Sequence, residues 1–174
     1  FWDKHSKNME SWQENKNGYS ATFYRVTGPV IPTLLVNQFV FLEPRSGEAP
    51  FYGQVKQING KTAVLQTLRD YSHQKNNVWG ITARNREQNF ALNLLMNPEV
   101  DFVTLLGQAG TGKTLLTLAA GLMLTLEFKV YSEIIMTRVT VPLGEDIGFL
   151  PGTEEEKMNP WMGALEDNLD VPNK

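Results

Sequence analysis

At 174 residues the chain is long enough for one medium domain or two small ones with a real core. Its net charge of −3 lacks the basic excess of polyanion binders and leaves room only for a local basic stripe. With no cysteine, disulfides, thiol catalysis and cysteine zinc sites are excluded, and no apolar run reaches the ~18–20 residues of a membrane span. The two histidines, His5 and His73, lie far apart and read as surface residues rather than metal ligands. The chain opens on Phe1 with no signal-peptide pattern, which leads us to expect a cytoplasmic protein and a piece of something longer.

Residues 1–17 are polar, with Trp2 and Trp12 among them, and read as a linker remnant or a short helix that lacks its packing partner. From Tyr19 the texture turns to strands. Tyr19–Val26 is aromatic and β-branched, Leu34–Leu42 is a second run, and Phe51–Ile58 and Lys61–Leu68 flank Asn59-Gly60, a strong hairpin signal. Residues 18–70 are therefore expected to form a small β-barrel-like antiparallel module. Its rings Phe23, Tyr24, Phe51 and Tyr52 either fill the module's own core or stack on nucleic-acid bases. The polar stretch Asp70–Asn77 should hold a domain boundary. Beyond it, Ala91, Leu92, Leu94 and Leu95 give a helix from about Asn85 an apolar face, and Pro98 marks its end.

GQAGTGKT, from Gly107 to Thr114, fits the pattern G-x-x-x-x-G-K-[ST]. Asp101–Leu106 ahead of it reads as a buried parallel strand, and Leu115–Leu126 behind it as a mostly buried helix. Strand, glycine loop and helix form the context a P-loop requires. Backbone N–H groups of Gly107, Gln108, Ala109, Gly110, Thr111 and Gly112 would surround phosphate oxygens, helped by the positive end of the following helix. Lys113 would reach the β- and γ-phosphates of ATP, and the Thr114 hydroxyl would take one position on Mg²⁺; these two are the candidate catalytic residues.

Glu133–Thr137 reads as the next strand, followed by the loop RVTVPLGEDIGFLPG at the edge where open α/β sheets hold ligands. Thr153–Glu156 looks like a helix start, with Met158, Trp161, Met162 and Leu165 as its buried side. No apolar strand ending in Asp or Asp-Glu follows the P-loop, so the acid that would hold Mg²⁺ and polarise water is expected beyond Lys174.

The segments ITARNREQNFALNLLMNP–DFVTLLGQAGTGKTLLTLAAGL and IIMTRVTVPLGEDIGFLPGTEEEKMNPWMGALEDNLD resemble PhoH-type ATPases, and more narrowly the PhoH half of bacterial PIN–PhoH fusion proteins. The resemblance runs from Trp79 to Asp170. It implies a RecA-like fold, ATP hydrolysis with Mg²⁺, hexameric assembly and, in the fusions, RNA unwinding coupled to a PIN ribonuclease. Carried onto this chain, it makes Gln88 the reader of adenine; the other reading is a solvent-facing helix glutamine. It places Arg138 and Phe149, in the TR segment and the GFLPG loop, against single-stranded RNA; the other reading of Arg138 is an internal salt bridge. The chain departs from many PhoH proteins in carrying Val139 after that arginine, and it lacks the acid cluster of a PIN nuclease.

The expectation is therefore an α/β chain: a linker remnant (1–17), a small antiparallel β module (18–70) and the incomplete N-terminal part of a RecA-like P-loop NTPase domain (78–174). Alone it is expected to bind ATP weakly at best and to hydrolyse it poorly or not at all. Its whole protein is a homo-hexameric RNA helicase coupled to a nuclease. A rival reading makes the β module the working part, for RNA binding or oligomerisation, with the P-loop as a nucleotide switch.

Overall fold

The computed structural model describes residues 10–16, 19–42 and 50–137. The chain divides into two units, one ending at Val130 and one starting at Tyr131. Each is described by itself.

The first unit is mixed α/β. It contains strands β1 (Glu10–Lys16), β2 (Tyr19–Thr27), β3 (Phe39–Leu42), β4 (Phe51–Asn59) and β5 (Thr62–Thr67), then helices α1 (Arg86–Leu95) and α2 (Lys113–Leu122). The strands form one antiparallel sheet in the order β1-β2-β5-β4-β3. Among the described pairings, β1 and β3 stand at the two ends of this sheet.

The β4–β5 hairpin forms where Asn59-Gly60 predicts it. Asn59 pairs with Thr62, so the turn residues are Gly60 and Lys61, and Gly60 supplies the positive φ of 58° that such a turn needs. The register shifts between Val55 and Gln57, a bulge at Lys56. Val55, Ala63, Leu65 and Ile31 are buried together under Tyr24, Val26 and Phe51.

Two expectations for this region change. Residues 10–16, expected in a linker remnant or a short helix, form strand β1 along β2. Trp12 stacks on Phe23 at 5.5 Å and Arg25 pairs with Glu10, so the neighbouring strand supplies the packing that so polar a segment lacks on its own. The run 34–42 is a strand only over Phe39–Leu42. A turn precedes it, in which Asn37 takes φ 69° and its N–H donates to the Val55 carbonyl (2.8 Å).

α1 starts where the sequence places it. Asn85 is its N-cap, its side chain accepting from the Gln88 N–H at 2.8 Å, and the helix stops three residues before Pro98. α2 begins directly at Lys113 and widens into a π turn over Met123–Glu127, where the Phe128 N–H reaches the Met123 carbonyl (2.9 Å). Leu92 of α1 and Leu116, Ala119 and Ala120 of α2 form a second core with Tyr71, Val78 and Ala83.

Asp101–Leu106, expected as a buried parallel strand, forms no strand and pairs with none among the described residues. Phe102 and Leu106 are 85% and 91% exposed, while Val103 and Leu105 are half-buried. A parallel strand needs ladder partners beside it and cover on both faces, and the described residues provide neither. In the second unit, Glu133–Thr137 likewise forms no strand, with Ile135 79% exposed. The TR segment from Arg138, Phe149 with its loop, and the helix expected from Thr153 lie outside the described residues.

Candidate functional site

The site is built from the loop 107–112, the first turn of α2 and the N-terminal turn of α1. Gly110 and Gly112 take φ of 79° and 84°, the left-handed region that only glycine enters without strain, and this curls the loop into the start of α2. No backbone N–H from Gln108 to Gly112 has a hydrogen-bond partner among the described residues. Five successive donors facing no acceptor, at a helix N-terminus, form a nest that can accept an anion.

Lys113 folds back over this nest. Its Nζ donates to the carbonyls of Gly107 (2.8 Å) and Gln108 (2.6 Å) and to Thr111 Oγ (3.3 Å). Thr111 Oγ in turn donates to the Gln108 carbonyl at 2.9 Å. The ammonium thus lies at the loop, held by neutral oxygens in exposed surroundings. Phosphate oxygens, being charged, would make stronger partners for it.

Thr114, in the first turn of α2, is exposed, and its hydroxyl has no partner among the described residues. It is suited to hold one position on a Mg²⁺ ion, a cation that takes few protein ligands. No group of three acids or histidines able to hold a metal occurs among the described residues.

Gln88 joins the loop from α1. Its Nε2 donates to the Thr111 carbonyl (3.2 Å), and its Oε1 accepts from the Arg84 N–H (2.8 Å). Both ends of the side-chain amide thus bond exposed backbone groups, one of them in the loop 107–112. Beside it, the Glu87 carboxyl lies below the ordinary glutamate range, first through its own backbone N–H and then through Arg86. A Cβ on Gly112 would come 3.3 Å from Gln88 Nε2. Gly112→Ala is therefore expected to strain the left-handed turn by about 1–2 kcal/mol and push Gln88 aside. Thermal unfolding together with titration of a fluorescent ATP analogue should show a lowered midpoint and weakened binding.

The structure brings Gly107 to Thr114 and Gln88 into one place. Sequence reasoning missed what holds α1 there. The Asn93 side chain accepts from the Arg69 N–H (3.0 Å) and donates to the Arg69 carbonyl (2.9 Å), and Asn89 accepts from the Tyr71 N–H (2.8 Å). These two asparagines splint the segment leaving β5 onto the helix. Phe90 stacks on Phe39 of β3 at 4.4 Å and meets Tyr52 edge-on at 6.1 Å. A signal was present: Asn85, Asn89 and Asn93 recur every four residues. Asparagine is a poor helix-interior residue unless its amide has tertiary work.

The chain belongs to the PhoH-like protein family: the model of that family matches residues 80–172, more than half of the chain. It is 41% identical over 134 residues to Protein PhoH2 of Bacillus subtilis, covering 77% of this chain and 29% of that protein. It is 46% identical over 93 residues to Protein PhoH2 of Thermobispora bispora, covering 53% of this chain and 21% of that protein. Against Protein PhoH2 of Mycolicibacterium smegmatis it is 44% identical over 94 residues, covering 53% and 22%. The chain thus spans less than a third of the length of these relatives. No solved structure matches it. No helix among the described residues is long and apolar enough to cross a membrane.

Proposed function

We propose that the loop Gly107–Thr114 binds the phosphates of ATP and that this chain is the nucleotide-binding front of a RecA-like P-loop ATPase domain, preceded by the β module. The observation that carries the reading is the row of unpartnered N–H groups at 108–112 with the Lys113 ammonium beside it. On phosphate binding, Lys113 exchanges carbonyl partners for β- and γ-phosphate oxygens, and the loop N–H groups and the α2 N-terminus donate to phosphate oxygens. Mg²⁺, bound with Thr114 as one ligand, would neutralise the phosphate charge. Gln88, released from Thr111 and Arg84, can donate to and accept from adenine with one amide. Domain limits near 17 and 70–77 belong to this reading.

For the whole protein, the resemblance to PIN–PhoH fusions supports a cytoplasmic homo-hexamer that couples ATP hydrolysis to RNA unwinding and cleavage. Arg138 and Phe149 would then face the RNA.

Competition between ATP and GTP for a fluorescent nucleotide tests the site. Wild type is expected to prefer ATP about tenfold or more, and Gln88→Ala to lose that preference while still binding triphosphate, since an unmatched base edge is what discriminates. Equal affinity of wild type for both nucleotides would remove Gln88 as the base reader. Binding of neither would sink the nucleotide reading.

A further inference from the structure

A cleft of ≈ 710 Å³ opens between the start of β4, the segment leaving β5 and the first turn of α1. That is within the size range of sites that hold a nucleotide-sized ligand. Phe51, Tyr52, His73, Arg84 and Arg86 are among the residues that line it. Of the four rings flagged in the sequence, the structure separates two pairs. Phe23 is buried under Trp12, and Tyr24 packs edge-on against Phe51 over the sheet core. Phe51 and Tyr52 are half-buried and also reach the cleft.

The charge in the cleft is biased. Asp70, its acid, accepts from the Ser72 N–H and Oγ (2.8 and 2.6 Å) and faces His73 Nε2 at 3.2 Å. The Arg86 guanidinium lies 4.0 Å from the centre of the Phe41 ring and pairs with Glu87 at 2.9 Å. The Arg84 side chain is exposed and has no partner among the described residues, while its backbone N–H is fixed by Gln88. A guanidinium without a partner among the described residues, lining the same cleft as two rings, combines the two elements that hold single strands: a cation for the phosphodiester and a flat surface for the base.

We propose that this cleft is a binding subsite for single-stranded RNA, with Arg84 on the backbone phosphate and a base against Tyr52. The proposal rests on the RNA part of the reading above and locates a contact on the β module and α1, on residues other than Arg138 and Phe149. It also sets the strand one residue-to-residue bond from Gln88, and two from the Thr111 carbonyl of the nucleotide loop.

The test uses the 174-residue chain and a uridine 12-mer carrying one 4-thiouridine, with a DNA 12-mer of the same sequence beside it. Fluorescence anisotropy and photocrosslinking followed by peptide mapping are read together. RNA is expected to crosslink to the peptide containing Tyr52. Arg84→Ala should weaken its affinity about fivefold and flatten the salt dependence by about one phosphate contact, with Arg84→Glu weaker still. Unfolding midpoints within error of the parent identify both variants as folded, and the side chain's lack of partners among the described residues predicts that result. RNA that binds the parent but crosslinks only outside the cleft, or that ignores Arg84→Glu, overturns the subsite while leaving RNA binding by the chain intact. DNA bound as tightly as RNA overturns the choice of RNA. No binding of the 12-mer by the parent overturns both the subsite and RNA binding by this chain, whereas the nucleotide titration stands or falls separately.

Discussion

Replacing Lys113 with alanine should abolish useful nucleotide affinity while hardly changing the stability of the fold. In the structure the ammonium bonds two loop carbonyls and a threonine hydroxyl, all exposed. Losing those bonds orphans no buried group, so the unfolding midpoint should move little. Against a triphosphate the same ammonium makes charge-assisted bonds, and their loss costs about 2–3 kcal/mol, about 30- to 150-fold in Kd. Titration of a fluorescent ATP analogue with Mg²⁺ reads this directly, beside a thermal melt of both proteins. Equal affinity in the variant would show that the loop N–H groups bind without Lys113, or that the ligand sits elsewhere. A collapse of the melt would mean that Lys113 holds the fold together, contrary to its exposed partners.

Leu92→Ala carries the largest expected effect on stability. Leu92 is 0% exposed and packs in the core that joins α1 to Leu116, Ala119 and Ala120 of α2. Truncation removes buried methyl groups and leaves a cavity, at a cost of about 3 kcal/mol. For a chain of this size that lowers the unfolding midpoint by about 6–12 °C. Leu92→Met, which conserves volume, should cost less than about 1.5 kcal/mol. Because α2 begins in the nucleotide loop and α1 carries Gln88, the alanine variant should also bind nucleotide more weakly near its midpoint, and recover on cooling. A shift under about 2 °C would show that the two helices do not share one core.

Much of the local structure was legible because it rests on short-range rules. The glycines of the loop, the Asn85 cap, the start of α2 at Lys113 and the Asn59-Gly60 hairpin each follow from backbone sterics within a few residues. Polar residues 10–16 gave no strand signal, since their order comes from pairing with β2 and from Trp12 on Phe23. Conversely, Asp101–Leu106 has a strand's composition, but a ladder needs a neighbour, and composition does not supply one. The splint by Asn89 and Asn93 and the Phe90–Phe39 stack involve partners 18 to 51 positions away in sequence, beyond any local pattern.

By itself, the sequence determined membership of the PhoH-like family and the spelling of the nucleotide loop, both of which reside in contiguous residues. Only the tertiary structure decided that Gln88 bridges Arg84 and Thr111, that α1 is splinted to the strand exit, and that Tyr52 and Arg84 line one cleft. Those facts depend on where separate segments meet, and burial of Leu92 and the satisfaction of buried backbone N–H groups determine where they meet.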